Sequence, residues 1–257
     1  MLRWRFATAL ILAPVILGAI AVGGWAIVAA VLVVVALAAY ELAGALKLQF
    51  PAAFGAGALP VLFSIPYGAS GILAGTVSGL PWALIWLGGR PEARTLRPVL
   101  ALFLMALWVG TPLAYLGPME KLPGGRYLVL VAVVGPWIYD AGAYFAGRFF
   151  GRHKLFPILS PKKTYEGAIG GLLVTVAVAG SFAYGFLSLN VFEAVLLGAV
   201  ISISSQAGDL FESVLKRILE LKDLGRVLPG HGGILDRIDS LLFTAPAVYY
   251  LYVLFML

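Results

Sequence analysis

An all-α, polytopic integral membrane bundle is the fold class this sequence predicts, and three observations predict it. Of its 257 residues, 61% are hydrophobic and only 12% are charged, against about a quarter charged in an average soluble domain. Apolar runs near the roughly 20 residues needed to cross a bilayer recur along the whole chain. The period-2 alternation of a membrane β-barrel is absent from the sequence.

About nine spans are expected, in a single integral membrane domain covering 1–257. The first, 5–22, follows Arg3 and Arg5 and ends in small residues, as a secretory signal does. A second run, 24–42, follows almost at once, so a retained span is expected rather than a cleaved signal. Spans 51–67 and 70–88 contain or adjoin Pro51, Pro60, Pro66 and Pro81, which membrane helices tolerate with kinks. Spans 98–117 and 127–147 come next, then 166–186 and 191–215. The second half of 191–215 is polar and is expected to project beyond the hydrocarbon. The last span is 236–257. Residues 1–125 supply the N-terminal helices, and 126–257 carry most of the chemistry.

This path puts 16 of the 18 Lys and Arg residues on one side, leaving only Lys121 and Arg126 on the other. The asymmetry predicts a cytoplasmic N-terminus and cytoplasmic charged loops. The net charge of +6 is therefore mainly a topology signal, with anionic membrane lipid as a secondary partner and no nucleic acid expected. There is no cysteine, which removes disulfide, zinc-thiolate and thiol-nucleophile chemistry.

Polar residues concentrate between Gln206 and Ser240. Ionisable groups at membrane depth are costly, and they read as functional by default. Ser205, Asp209, Glu212, Ser213 and Lys216 share one helical face by their spacing. A stripe where a helix leaves the membrane would look the same. Asp236, Asp239 and Ser240 repeat the pattern on the last helix, which favours a site. All-oxygen ligands suit Mg²⁺, Mn²⁺ or Ca²⁺ better than zinc. Pro229-Gly230-His231-Gly232-Gly233 lies just before that helix; glycine backbone N–H groups beside a helix start can hold an anion.

A second constellation joins Asp140, within a span, to Ser160-Pro161-Lys162-Lys163-Thr164 and Glu166-Gly167. Paired lysines at a cytoplasmic boundary serve topology, but hydroxyls flanking them at a helix start also fit phosphate capture. Other patterns fail. Gly142-x4-Gly147-Arg148 lacks the ending of a P-loop, the two S-x-x-K tetrads lack companion motifs, and His153 and His231 lack zinc-peptidase spacing. Gly147-x3-Gly151 and Gly167-x3-Gly171 read as close helix packing.

The run Ser213-x2-Lys216-Arg217-x4-Lys222-Asp223-x-Gly225-x3-Pro229-x-His231-Gly232-Gly233-x2-Asp236-Arg237-x-Asp239 resembles the signature of the phosphatidate cytidylyltransferase (CDP-diacylglycerol synthase) family. Gln206-x-Gly208-Asp209-x2-Glu212, Asp140-x-Gly142-Ala143-Tyr144 and the Ser160–Gly167 segment are similar to the same family. Ala141 departs from it, since relatives often carry a hydroxyl there.

The resemblance implies transfer of the cytidylyl group of CTP to phosphatidate, with Mg²⁺ and a monovalent cation such as K⁺. It further implies a homodimeric enzyme of the cell (inner) membrane with a cytoplasmic site. On that basis Asp209 and Asp236 hold Mg²⁺, with Asp239 as third ligand or support. Lys216, Arg217, Lys222 and Arg237 hold phosphates, with Ser213 beside them, and His231, Gly232 and Gly233 shape the loop. Ser160, Lys162, Lys163 and Thr164 bind either the CTP tail or the lipid phosphate, and Asp223 orients a basic neighbour or recognises the nucleotide. Two alternatives stand beside it. One is another CTP-using lipid enzyme, including a CTP-dependent kinase. The other is a transporter, which the one-sided polar cluster and the lack of a repeat disfavour.

Overall fold

The computed structural model describes residues 2–86, 96–221, 224–225, 227 and 232–257. Lys222, Asp223 and His231 lie outside the described residues, as do Arg90, Arg94, Arg226, Pro229 and Gly230. The chain forms two compact units, Met1–Lys121 with Asp223–Ile238 and Leu122–Lys222 with Asp239–Leu257. It is an all-α membrane protein. Among the described residues seven helices are long and apolar enough to span a bilayer, Phe50–Trp86 being counted once, and Leu10–Val22 is a shorter apolar helix.

The first unit contains α1 (Leu2–Val22), α2 (Trp25–Leu46), α3 (Phe50–Trp86) and α4 (Leu96–Glu120). Helix α2 buries Ile27, Val31, Val35, Ala38 and Leu42, a spacing of three and four that keeps one stripe inward. It stops where Lys47 turns left-handed, with φ 56°. Helix α3 is broken at Gly68, whose φ of 60° and ψ of −140° favour a residue without Cβ. The chain doubles back there. A Cβ on Gly71 would stand 2.1 Å from the Phe63 carbonyl oxygen, and one on Gly75 would stand 2.6 Å from that of Leu59. The break falls between the runs expected at 51–67 and 70–88.

The second unit contains α5 (Gly125–Phe150), β1 (Lys154–Phe156), β2 (Ser160–Thr164), α6 (Tyr165–Phe186), α7 (Val191–Ile218) and α8 (Leu235–Phe255) from Asp239 onward. The strands form an antiparallel hairpin pairing Lys154 with Thr164 and Phe156 with Ser160. Sequence patterning leaves that segment as a loop, because it is short and charged. Thr164 ends the hairpin and caps α6, its Oγ1 accepting the Gly167 N–H at 3.1 Å. Helix α7 starts with a reciprocal capping box. Asn190 Oδ1 accepts the Glu193 N–H at 2.9 Å, and Glu193 Oε2 accepts the Asn190 N–H at 2.8 Å. Small residues let α5 and α6 meet closely: a Cβ on Gly167 would lie 3.2 Å from the Gly147 Cα.

Candidate active site

The second unit gathers three carboxylates from two helices. One oxygen each of Asp209, Glu212 and Asp239 lies within 4.8 Å of the others. Asp209 and Glu212 share a face of α7, and Asp239 comes from α8. The two backbones touch at this level, where a Cβ on Gly208 would stand 2.3 Å from the Asp239 carbonyl oxygen. Ser240 Oγ donates to the Ser205 carbonyl at 3.1 Å, and the Thr244 hydroxyl lies 3.3 Å from that of Ser205. This run of buried polar contacts fixes the register in which the acids meet. Glu212 and Asp239 are buried and Asp209 is partly exposed.

Two lysines answer the three acids. Lys216 Nζ lies 2.7 Å from Glu212 Oε2, one turn along the same helix. Lys163, on β2, forms an ion pair with Asp209. Burial pushes the Lys163 ammonium below the usual lysine value, while the Asp140 and Asp239 carboxylates push it back up. Asp140 therefore belongs electrostatically to the same cluster. Beside it Tyr139 donates a hydrogen bond to Gln206, and both line an open cavity of about 360 Å³ together with Ile169, Leu172, Ile203 and Leu210.

The first unit holds a different arrangement. Glu41 of α2 is buried, and its carboxylate takes three backbone N–H groups. Val227 at 3.2 Å and Ile234 at 2.9 Å donate to Oε1, and Leu235 at 3.1 Å donates to Oε2. Asp236 Oδ2 accepts the Gly233 N–H at 2.9 Å, reaching back from the first turn of α8 to the backbone just before it. Gly232 takes a φ of 83°.

The expected residues thus fall into distinct groups. Asp209, Asp239, Lys216 and Lys163 come together, joined by Glu212, which the sequence reading placed on the α7 face without a role. Asp236, expected as a metal ligand, lies in the first turn of α8 and reaches back to Gly233. Lys162 is exposed while Lys163 turns inward. Thr164 is a buried cap, Ser160 and Ser213 are half-buried, and Arg217 and Arg237 are exposed. Glu41 was missed. Its one signal was a lone charge in an otherwise apolar span.

The carboxylate group fits a divalent cation. Mg²⁺ takes oxygen ligands at about 2.0–2.1 Å in octahedral geometry, so neighbouring ligands stand about 2.9 Å and opposite ones about 4.2 Å apart, and the three acids would have to draw together to hold it. Helices of membrane length carrying a carboxylate–lysine cluster define an integral membrane protein. The chain belongs to the cytidylyltransferase family, matching it over residues 3–255.

It is 48% identical over 124 residues to the phosphatidate cytidylyltransferase of Staphylococcus haemolyticus (strain JCSC1435), covering 48% of this chain and 47% of the relative. It is 46% identical over 129 residues to that of Staphylococcus aureus (strain COL), covering 49% of each. With that of Bacillus subtilis (strain 168) it shares 41% identity over 154 residues, 59% of this chain and 57% of the relative. The chain thus spans about half the length of the relatives it matches.

Proposed function

We propose that this protein transfers the cytidylyl group of CTP to phosphatidate, releasing pyrophosphate and leaving CDP-diacylglycerol in the membrane. The observation that carries the reading is family membership along nearly the whole chain, together with relatives bearing the name of that activity. The acid–lysine cluster supplies what such a reaction needs.

Phosphatidate brings its own nucleophile. A phosphate monoester has a second pKa near 6 and is largely ionised at pH 7. Its oxygen attacks the α-phosphorus of CTP, a new phosphorus–oxygen bond forms, and the bond to the β-phosphate bridge breaks. No general base is required. The work is to hold two polyanions together and to balance charge on the departing pyrophosphate. Lys163 and Lys216 stand at the cluster for that purpose. Arg217, Lys222 and Arg237 are proposed phosphate ligands from the sequence, with Ser160, Lys162 and Ser213 as polar support. Gly232, Gly233 and His231 are proposed to shape the anion-binding turn, and Asp223 to orient a base or read the nucleotide.

Asp209, Glu212 and Asp239 would hold Mg²⁺, with Asp236 a further ligand proposed from the signature. When bound, the ion would neutralise and orient phosphate oxygens, and a monovalent cation such as K⁺ is proposed beside it. We place the site on the cytoplasmic side of the cell membrane, with nine crossings, a cytoplasmic N-terminus and a homodimeric assembly. The charge asymmetry supports that orientation.

The deciding experiment follows label from radiolabelled CTP into lipid with purified protein, phosphatidate and Mg²⁺. Labelled lipid that needs both, with stoichiometric pyrophosphate, is the expected result. Release of CDP would make the protein a kinase, and silence with every phospholipid, from folded protein, would overturn the reading.

A further inference from the structure

Glu41 is the one charged residue of α2 and is 4% exposed. A carboxylate buried in an apolar helix is costly unless its oxygens are satisfied. Here the satisfaction comes from the far end of the chain, through the backbone N–H groups of Val227, Ile234 and Leu235, 186 to 194 residues away. A single carboxylate thus holds the described residues Val227, Ile234 and Leu235 together.

The glycines of the same segment carry the imprint of this contact. A Cβ on Gly225 would stand 2.1 Å from Glu41 Cδ. A Cβ on Gly233 would stand 2.7 Å from Glu41 Oε2 and 2.9 Å from Asp236 Oδ2. Both belong to the family-like signature, and at both it is the Glu41 carboxylate that occupies the space a side chain would need. The backbone closes on an anion supplied by the protein itself.

We propose that Glu41 is a positioning residue of the reaction: by holding the backbone at 227 and 234–235 it sets the turn carrying Gly232 and Gly233 and the start of α8 carrying Asp236 and Arg237. It acts through that backbone and touches no substrate. The inference rests on the cytidylyltransferase reading for its consequence in turnover, and on geometry alone for its effect on the segment.

The test uses the full chain in lipid nanodiscs and Glu41→Gln. The carboxamide keeps one acceptor oxygen but turns an NH₂ toward a backbone donor, leaving at least one buried N–H without an acceptor. Hydrogen–deuterium exchange of peptides covering 224–238 is expected to rise on the order of tenfold, while peptides from 25–46 and 191–218 and the unfolding midpoint stay at wild-type values. In parallel kcat/KM for CTP falls on the order of tenfold or more, with KM for phosphatidate unchanged. Wild-type exchange and kinetics in Glu41→Gln would overturn the proposal. So would a rise in exchange along the whole chain with a lowered midpoint, which makes Glu41 an ordinary core contact. If Glu41→Gln does not accumulate, Glu41→Asp, which keeps the charge on a shorter arm, is read the same way. A wild-type protein that fails to turn over CTP refutes the functional reading instead, and the exchange comparison still decides the role of Glu41.

Discussion

Lys163 reaches from the β-hairpin to pair with Asp209 on α7, whereas its sequence neighbour Lys162 stays exposed. The pairing of the two strands is irregular between Lys154 and Phe156, and along β2 it is Lys163 and Thr164 that turn inward while Pro161 and Lys162 face out. The pair is part-buried, with side-chain exposures of 27% and 29%, and a charged hydrogen bond there is worth more than at the surface. The hairpin is therefore the device that carries a cation to α7.

That asymmetry gives the first prediction. Lys163→Met is expected to lower kcat/KM by about 10- to 100-fold, the loss of one charged contact to phosphate or carboxylate. Lys162→Met is expected to remain within a few-fold of wild type. Label transfer from CTP into lipid measures both, and equal losses in the two variants would refute the division of roles.

The carboxylate grouping makes a second prediction, about Mg²⁺. Asp209→Asn, Glu212→Gln and Asp239→Asn each remove one anionic ligand while preserving shape. Glu212→Gln and Asp239→Asn are each expected to raise the half-saturating Mg²⁺ concentration at least about tenfold, the effect typical of damage to a metal site, while Asp209→Asn is expected to abolish measurable turnover. Activity titrated against Mg²⁺ reads the shift. A Glu212→Gln protein with a wild-type Mg²⁺ curve would exclude Glu212 from the ligand set.

Asp236 is tested separately. Asparagine can still accept the Gly233 N–H through its amide oxygen, so Asp236→Asn should keep the start of α8 and the unfolding midpoint. Turnover is nonetheless expected to be abolished, since the negative charge is lost. Substantial activity in this variant would reduce Asp236 to a cap.

The helical part of the site was legible because it is local. Ser205, Asp209, Glu212, Ser213 and Lys216 announce one face of a helix by spacing alone, and α7 presents that face to α8 through Ser205 and Ser240. Asp236 and Asp239, three residues apart, promised a matching pair. Spacing cannot tell that a carboxylate in the first turn of a helix will fold back onto the backbone before it, as Asp236 does onto the Gly233 N–H. The hairpin was hidden by its length, since β1 has three residues and β2 five. Glu41 was hidden by distance: no local pattern links a lone acid in α2 to backbone N–H groups near residue 230.

The contact between α7 and α8 makes the last prediction. Gly208 has no room for a side chain, because a Cβ would lie 2.3 Å from the Asp239 carbonyl oxygen and 2.9 Å from the Ser240 Cα. Both obstacles are backbone and cannot rotate aside, so Gly208→Ala must separate the helices or distort α8. Overpacking of this kind costs about 1–3 kcal/mol, and here it also moves Asp239 away from Asp209. Gly185, in the last turns of α6, has nothing within 4 Å of the same added atom. Gly185→Ala is therefore expected to stabilise by about 0.5–1 kcal/mol through helix propensity. Unfolding midpoints in detergent should move in opposite directions for the two variants, and only Gly208→Ala should weaken Mg²⁺-dependent activity. A Gly208→Ala protein as stable and active as wild type would show that the two helices do not meet in this register.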